Sequence, residues 1–205
     1  YRQSAQAFTR VNYFAPNDPP TRLWLGQISL LARQPNRTIE LTRELMHPPA
    51  GWDVSGTYQV DALSLTARAH LQLREEAKAK ALIEEAILHS PTNTYLLVNA
   101  VSAFAGAGDN TNALVYTDRL LQLQPTNDFA LLHKGYLSIQ TGEFDSAVRA
   151  MTGLLSLQTN RPEALLNRAI AYYRSDKLDE AKRDYEALQR ISPGSYQVYY
   201  GLGEI

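Results

Sequence analysis

The sequence predicts an all-α chain, a solenoid of antiparallel helix hairpins with a 34-residue period, and three observations carry the prediction. First, Pro91 and Pro125 stand 34 residues apart and open the related strings PTNTYLLVNA and PTNDFALLHK. Second, stepping by the same interval aligns three columns: Ala79, Ala113, Ala147 and Ala181; Ala67, Val101, Gly135, Ala169 and Gly203; Leu63, Leu97, Leu131, Leu165 and Tyr199. Third, apolar residues within a period recur at spacings of three and four, as in Ala62, Leu63, Ala67 and Leu71 and again in Ala79, Leu82, Ile83, Ala86 and Ile87. That spacing places them on one face of a helix, and two such runs per period make a hairpin.

Taken in order, residues 1–18 fit the second half of a unit, with Ser4 in the small column, Phe8 in the bulky one and Pro16-Asn17-Asp18 closing the turn. Residues 19–59 are expected to form a degenerate unit. Leu25-Gly26 fall in its first-helix columns and Thr38 and Leu45 in its second, once a seven-residue insertion is allowed within 53–59. The stretch from Pro48 to Tyr58 is expected to be an ordered excursion, because Trp52 and Tyr58 would not both be left in water. Full units then run over 60–93, 94–127, 128–161 and 162–195, and 196–205 opens a further first helix, the whole forming one array over 1–205.

Within each unit the helices are separated by breakers, Gly106 to Asn110, Thr141-Gly142-Glu143 and Ser175-Asp176-Lys177, where Gly or Asp tolerates the left-handed conformation that closes a helix. Pro91, Pro125 and Pro193 end the second helices, since proline cannot continue them. Small residues such as Gly135 and Ala147 are expected to meet where paired helices cross. The bulky Phe104, Phe144, Met151, Tyr172, Leu178 and Tyr185 are expected to fill the space between neighbouring hairpins, so that no unit buries its apolar faces alone.

These columns, turns and closing prolines resemble the tetratricopeptide repeat family, most strongly from Val60 to Ser195. The resemblance implies a right-handed superhelical winding and a partner-binding groove on its inner side. Four positions depart from the family's pattern: Lys134 and Arg168 stand where it usually has Leu, Thr159 replaces the closing proline, and Arg74 replaces the first-turn Gly.

Composition excludes several functions. Twenty Lys and Arg against 21 Asp and Glu give a net charge of −1, which does not draw a chain to nucleic acid. The absence of cysteine removes disulfides, a thiolate nucleophile and Cys-based metal sites. No apolar run approaches a membrane span, so no membrane insertion by this segment is expected. The compartment stays open, and the lack of Cys beside many Thr, Asn and Gln tilts toward a bacterial, exported protein. His47, His70, His89 and His133 show no metal-ligand spacing, and no phosphate-binding or nucleophile motif occurs. Carboxylate neighbours such as Glu84-Glu85 point about 100° apart on a helix and cannot share a small substrate. Neither catalytic residues, a metal site nor a cofactor is expected.

If first helices turn toward the inner side, as the resemblance implies, the positions not used by the core columns line the groove. They are Trp24 and Gln27; Asp61, Ser64, Arg68 and Gln72; Tyr95, Asn99 and Ser102; Phe129, His133, Tyr136 and Gln140; Glu163, Asn167, Ile170, Tyr173 and Arg174; Gln197, Tyr200 and Glu204. Aromatics alternate with amides there, a lining suited to a peptide or partner helix, because Tyr and Trp give area at low entropic cost and Asn and Gln bond a backbone in both directions. From this set Tyr95, Asn99, Phe129, His133, Tyr136, Asn167, Tyr173 and Arg174 are the candidate partner-binding residues. The carboxylate clamp of chaperone-binding family members is not expected: Asn99 matches one of its amides, but Ser64, Arg68, Phe129 and His133 occupy its other places.

The expected function is thus a non-catalytic scaffold that binds a protein or peptide and belongs to a larger protein. The alternative is a substrate-recruiting or spacer array of a larger enzyme or membrane-associated protein. RNA binding is disfavoured because Arg68 and Arg174 are the only Lys or Arg residues in the inner set.

Overall fold

The computed structural model describes residues 15–205 together with Gln6, Thr9, Arg10, Val11 and Tyr13. The expected small and bulky positions Ser4 and Phe8 lie outside the described residues. From Pro19 onward the chain runs through α1 (Pro19–Leu31), α2 (Pro35–Met46), α3 (Gly56–Gln72), α4 (Glu76–His89), α5 (Thr94–Ala107), α6 (Asn110–Leu123), α7 (Asp128–Gln140), α8 (Phe144–Leu157), α9 (Pro162–Arg174), α10 (Leu178–Ile191) and α11 (Tyr196–Gly203). No strand occurs among the described residues, so the chain is all-α. It divides into two compact units, 1–103 and 104–205, with α5 contributing to both.

The odd-numbered helices α1, α3, α5, α7 and α9 are closed by residues in the left-handed region: Arg33 (φ 57°), Arg74 (62°), Gly108 (83°), Gly142 (81°) and Asp176 (61°). In each case the next residue's N–H reaches back five positions, as Gln34 does to the Ser29 carbonyl (2.9 Å) and Glu143 to that of Ser138 (2.7 Å). These bonds satisfy carbonyls that the helix end leaves orphaned. Glycine holds this conformation freely at 108 and 142, whereas an L side chain strains it by roughly 1–2 kcal/mol. Arg33 is exposed, so Arg33→Gly is expected to stabilise the N-terminal unit by about 0.5–1 kcal/mol, the relieved strain outweighing glycine's added unfolded-state entropy. Thermal unfolding checks this, and an unchanged or lower midpoint would count against it.

Helix starts are fixed locally. Asp18 accepts from the Thr21 N–H (3.0 Å), Asp109 from that of Asn112 (3.0 Å) and Asn127 from that of Ala130 (2.9 Å), each side-chain oxygen satisfying one free donor of the first turn. Pro35 and Pro162 occupy first helical positions, where the missing N–H costs nothing.

In the N-terminal unit α1 packs on α2 and also reaches α3, and α3 packs on both α2 and α4. Between these helices runs a buried hydroxyl chain. Thr38 Oγ1 donates to the Gly26 carbonyl (2.9 Å), the Thr42 and Thr66 hydroxyls lie 2.6 Å apart, and Thr66 also donates to the Ala62 carbonyl (2.7 Å). Every hydroxyl has a partner, so these threonines are buried without an orphaned donor.

Arg22 is likewise buried on α1. Its Nε donates to the Leu41 carbonyl (2.9 Å), its Nη1 pairs with Glu44 (2.6 Å), and its guanidinium lies 5.4 Å from the centre of the Trp52 ring. Trp52 and Tyr58 pack with Val54 against Leu45 and Ala62, so the segment joining α2 to α3 is built into the core. Its length is absorbed in two ways: residues 47–55 connect the helices where later hairpins use four residues, and α3 runs to 17 residues against 13 or 14 in the full-length helices that follow.

In the C-terminal unit Leu131, Met151, Leu154, Leu165, Leu188 and Val198 form one apolar cluster across α7 to α11. Gly135 and Ala147, the small residues expected at the crossing of α7 and α8, are both buried. A Cβ at Gly135 would overlap the Met151 side chain, so glycine at 135 seats that methionine one turn beyond Ala147. Gly201 on α11 does the same for the Tyr185 ring. Leu178, expected between hairpins, remains exposed at the start of α10. The two positions that depart from the family's Leu carry ion pairs instead. Lys134 Nζ meets Asp118 at 2.9 Å and Arg168 Nε meets Asp184 at 2.7 Å, joining α7 to α6 and α9 to α10.

Candidate functional site

The N-terminal unit holds an open cleft of about 550 Å³ along the faces of α1, α3 and α5. Trp24 and Gln27 of α1, Asp61, Ser64 and Arg68 of α3, and Tyr95 and Asn99 of α5 line it, and all seven belong to the inner set read from the repeat phase. Their spacing explains the convergence, because residues three, four and seven apart share one face of a helix. Trp24 and Tyr95 are 57% and 63% exposed, unusual for rings that a core would accept. Pro20, Leu23, Tyr58 and Leu65 complete the lining. Tyr58 lies outside the repeating columns, in the first turn of α3, so phase alone does not reach it.

The cleft is electrostatically divided. Arg68 Nη1 donates to Gln27 Oε1 at 3.3 Å, which holds the guanidinium toward α1. Asp61 stands two turns earlier on the same helix and has no ion-pair partner among the described residues. Although Asp61 reaches water, the surrounding protein desolvates its carboxyl and raises its pKa above the ordinary aspartate value.

In the C-terminal unit the candidate residues sit on α7 and α9, which pack on one another. Phe129 and His133 stack with ring centres 3.9 Å apart. His133 Nδ1 lies 2.9 Å from the Phe129 carbonyl, which can only accept, so Nδ1 carries the proton and donates. In the neutral ring Nε2 is then an acceptor. Tyr136 is 49% exposed, Asn167 is half-buried and Arg174 is exposed. Tyr173 is half-buried, with its hydroxyl 3.4 Å from a Glu204 carboxylate oxygen. None of the eight candidate residues is buried in the core. Tyr95 and Asn99 share the N-terminal cleft, and the other six lie in the C-terminal unit.

Among the described residues no group of three or more His, Cys, Asp or Glu side chains is placed to hold a metal ion, and no helix is long and apolar enough to cross a membrane.

The tetratricopeptide repeat profile matches residues 162–195. No curated protein sequence matches the chain significantly. Among solved structures, the C-terminal part of a repeat-containing protein from Cytophaga hutchinsonii is similar with a TM-score of 0.78 at 16% identity, covering 100% of this chain and 79% of that one. YrrB, described as a tetratricopeptide repeat protein with an unusual peptide-binding site, is similar with a TM-score of 0.71 at 15% identity, covering 97% of this chain and 99% of that one. MamA is similar with a TM-score of 0.66 at 14% identity over 84% of this chain and 90% of that one. At these identities the likeness is one of fold. Residues 162–195 are a tetratricopeptide repeat, and the helical-hairpin fold of the chain is that of tetratricopeptide repeat proteins.

Proposed function

We propose that the chain binds a protein partner, presented as an extended peptide or a helix, on the exposed faces of its first helices and carries no chemistry of its own. Proteins of this fold are protein-interaction scaffolds, in general without catalysis. The observation that carries the finer reading is the N-terminal cleft, where two exposed aromatic rings stand beside an amide, a carboxylate and a guanidinium in one open trough. A large apolar lining with a few placed polar groups is what a recognition site needs. A spacer that only holds other domains apart has no use for exposed Trp24 and Tyr95, and a nucleic-acid strand gains little from a cleft in which Asp61 offsets Arg68. Within the C-terminal unit, Tyr136, Asn167 and the Phe129–His133 stack form a second proposed surface.

Selection of displayed twelve-residue peptides on the whole chain tests this. Binding peptides are expected at micromolar affinity. Trp24→Ala with Tyr95→Ala should weaken them by about tenfold to a hundredfold, the effect of losing central aromatic anchors, while the unfolding midpoint stays within a degree or two. Tyr136→Ala is the corresponding change in the C-terminal unit. Failure to select any peptide, or equal binding by the substituted chains, would overturn the proposal.

A further inference from the structure

We infer that the N-terminal cleft selects peptides by a basic side chain, seated against Asp61 and the rings of Trp24 and Tyr95, with the peptide backbone running on toward Arg68 and Asn99. This rests on the peptide-binding reading above and specifies its ligand. The argument begins with the carboxylate. Most surface aspartates are fully hydrated, and an unpaired one needs no explanation. Asp61 instead lines a cleft with two exposed aromatic residues, and among the described residues it has no cation partner. Partial desolvation raises its pKa, so its charged form lacks compensation that a bound cation would supply.

The aromatic rings favour the same occupant. Ring faces attract cations through their quadrupole, and an arginine plane also stacks on Trp and Tyr while its fork meets a carboxylate. An acidic side chain at this point would face Asp61 and the negative faces of the rings, and is rejected on both counts.

The remaining polar groups assign the rest of the peptide. Seven residues along α3, about 10 Å by helix rise, Arg68 offers donors at the opposite end of the trough, and its link to Gln27 keeps it from folding back onto Asp61. Asn99 beside it supplies both a donor and an acceptor. Carbonyls of an extended backbone suit Arg68, and the paired N–H and C=O of one residue suit Asn99. One end of the trough thus reads a cationic side chain and the other reads the main chain, which orients the peptide.

A positional-scanning library of capped nonapeptides, presented to the whole chain, tests the inference. The expected result is an enrichment of Arg or Lys over Glu by about tenfold at one position. Asp61→Asn should reduce that preference to less than about threefold and leave apolar preferences at other positions in place, and Asp61→Glu should restore most of it. Circular dichroism of the three chains verifies an unchanged fold. Peptides bound without a basic preference, or with one that survives Asp61→Asn, overturn this inference and leave the peptide-binding proposal standing. No bound peptide at all overturns both.

Discussion

Phe104→Ala is expected to destabilise the C-terminal unit by about 3–5 kcal/mol. Phe104 is fully buried, and its ring stacks on that of Tyr116, itself buried, with centres 5.4 Å apart and planes 18° from parallel. Transfer of a phenylalanine side chain back toward water accounts for about 1.5–3 kcal/mol. The rest comes from the cavity, because the surrounding helices relax only in part and Tyr116 loses its stacking partner. The backbone at 104 adds a local reason for rigidity, since its carbonyl accepts the Asp109 N–H (3.0 Å) in the turn that starts α6. Urea unfolding followed by circular dichroism measures the loss. Leu88→Ala is the matched control: Leu88 is 81% exposed, so its loss is expected to stay within about 0.5 kcal/mol. A Phe104→Ala cost below about 1 kcal/mol would show that the site collapses freely and that the buried pair contributes little.

The column Ala79, Ala113, Ala147 and Ala181 illustrates which parts of the fold the sequence makes legible. Stacked hairpins demand the same residue type at the same place in every unit, so apolar and small columns repeat and the all-α class follows from their period. What lacks a repeating partner is not legible. Arg33 and Arg74 adopt a conformation whose usual sequence signal is glycine, and only the surrounding helices hold them there. Thr38, Thr42 and Thr66 read as polar helix surface until their hydroxyls are seen to bond one another and helix carbonyls. Arg22 reads as a solvated charge, and its burial depends on Glu44 and Trp52, 22 and 30 positions away.

The candidate site divides in the same manner. The phase assigns Trp24, Asp61, Arg68, Tyr95 and Asn99 to one face, which is a periodic property, and these five line the N-terminal cleft. A periodic argument does not rank them, and the eight candidate residues include Tyr95 and Asn99 but not Trp24, Asp61 and Arg68. Nor does it reveal the polar contact between Tyr173 and Glu204, 31 positions apart.

Arg168→Leu is expected to destabilise the C-terminal unit by about 2–4 kcal/mol, although it restores the residue that the family usually carries there. Arg168 holds Asp184 with two bonds, Nε to Oδ2 at 2.7 Å and Nη2 to Oδ1 at 2.8 Å, and its Nη1 donates to Thr152 Oγ1 at 3.1 Å. The hydrogen bond with Asp184 raises the arginine's already high pKa, so the guanidinium keeps its charge. The Asp184 side chain is only 9% exposed. Leucine at 168 would bury more apolar surface between α9 and α10, but it would strand that carboxylate without a cation or a donor. The penalty for an uncompensated charge exceeds the gain from one leucine side chain, and access to water from the Arg168 side keeps it below the figure for a fully enclosed pair. Arg168→Leu combined with Asp184→Ala removes the stranded charge and is expected to return to within about 1 kcal/mol of the unaltered chain. A double-mutant cycle in urea measures both. If the double variant is as unstable as Arg168→Leu alone, the cost lies in lost packing around the arginine stem and its 6.0 Å contact with the Tyr172 ring, and the ion pair is not what allows this position to depart from leucine.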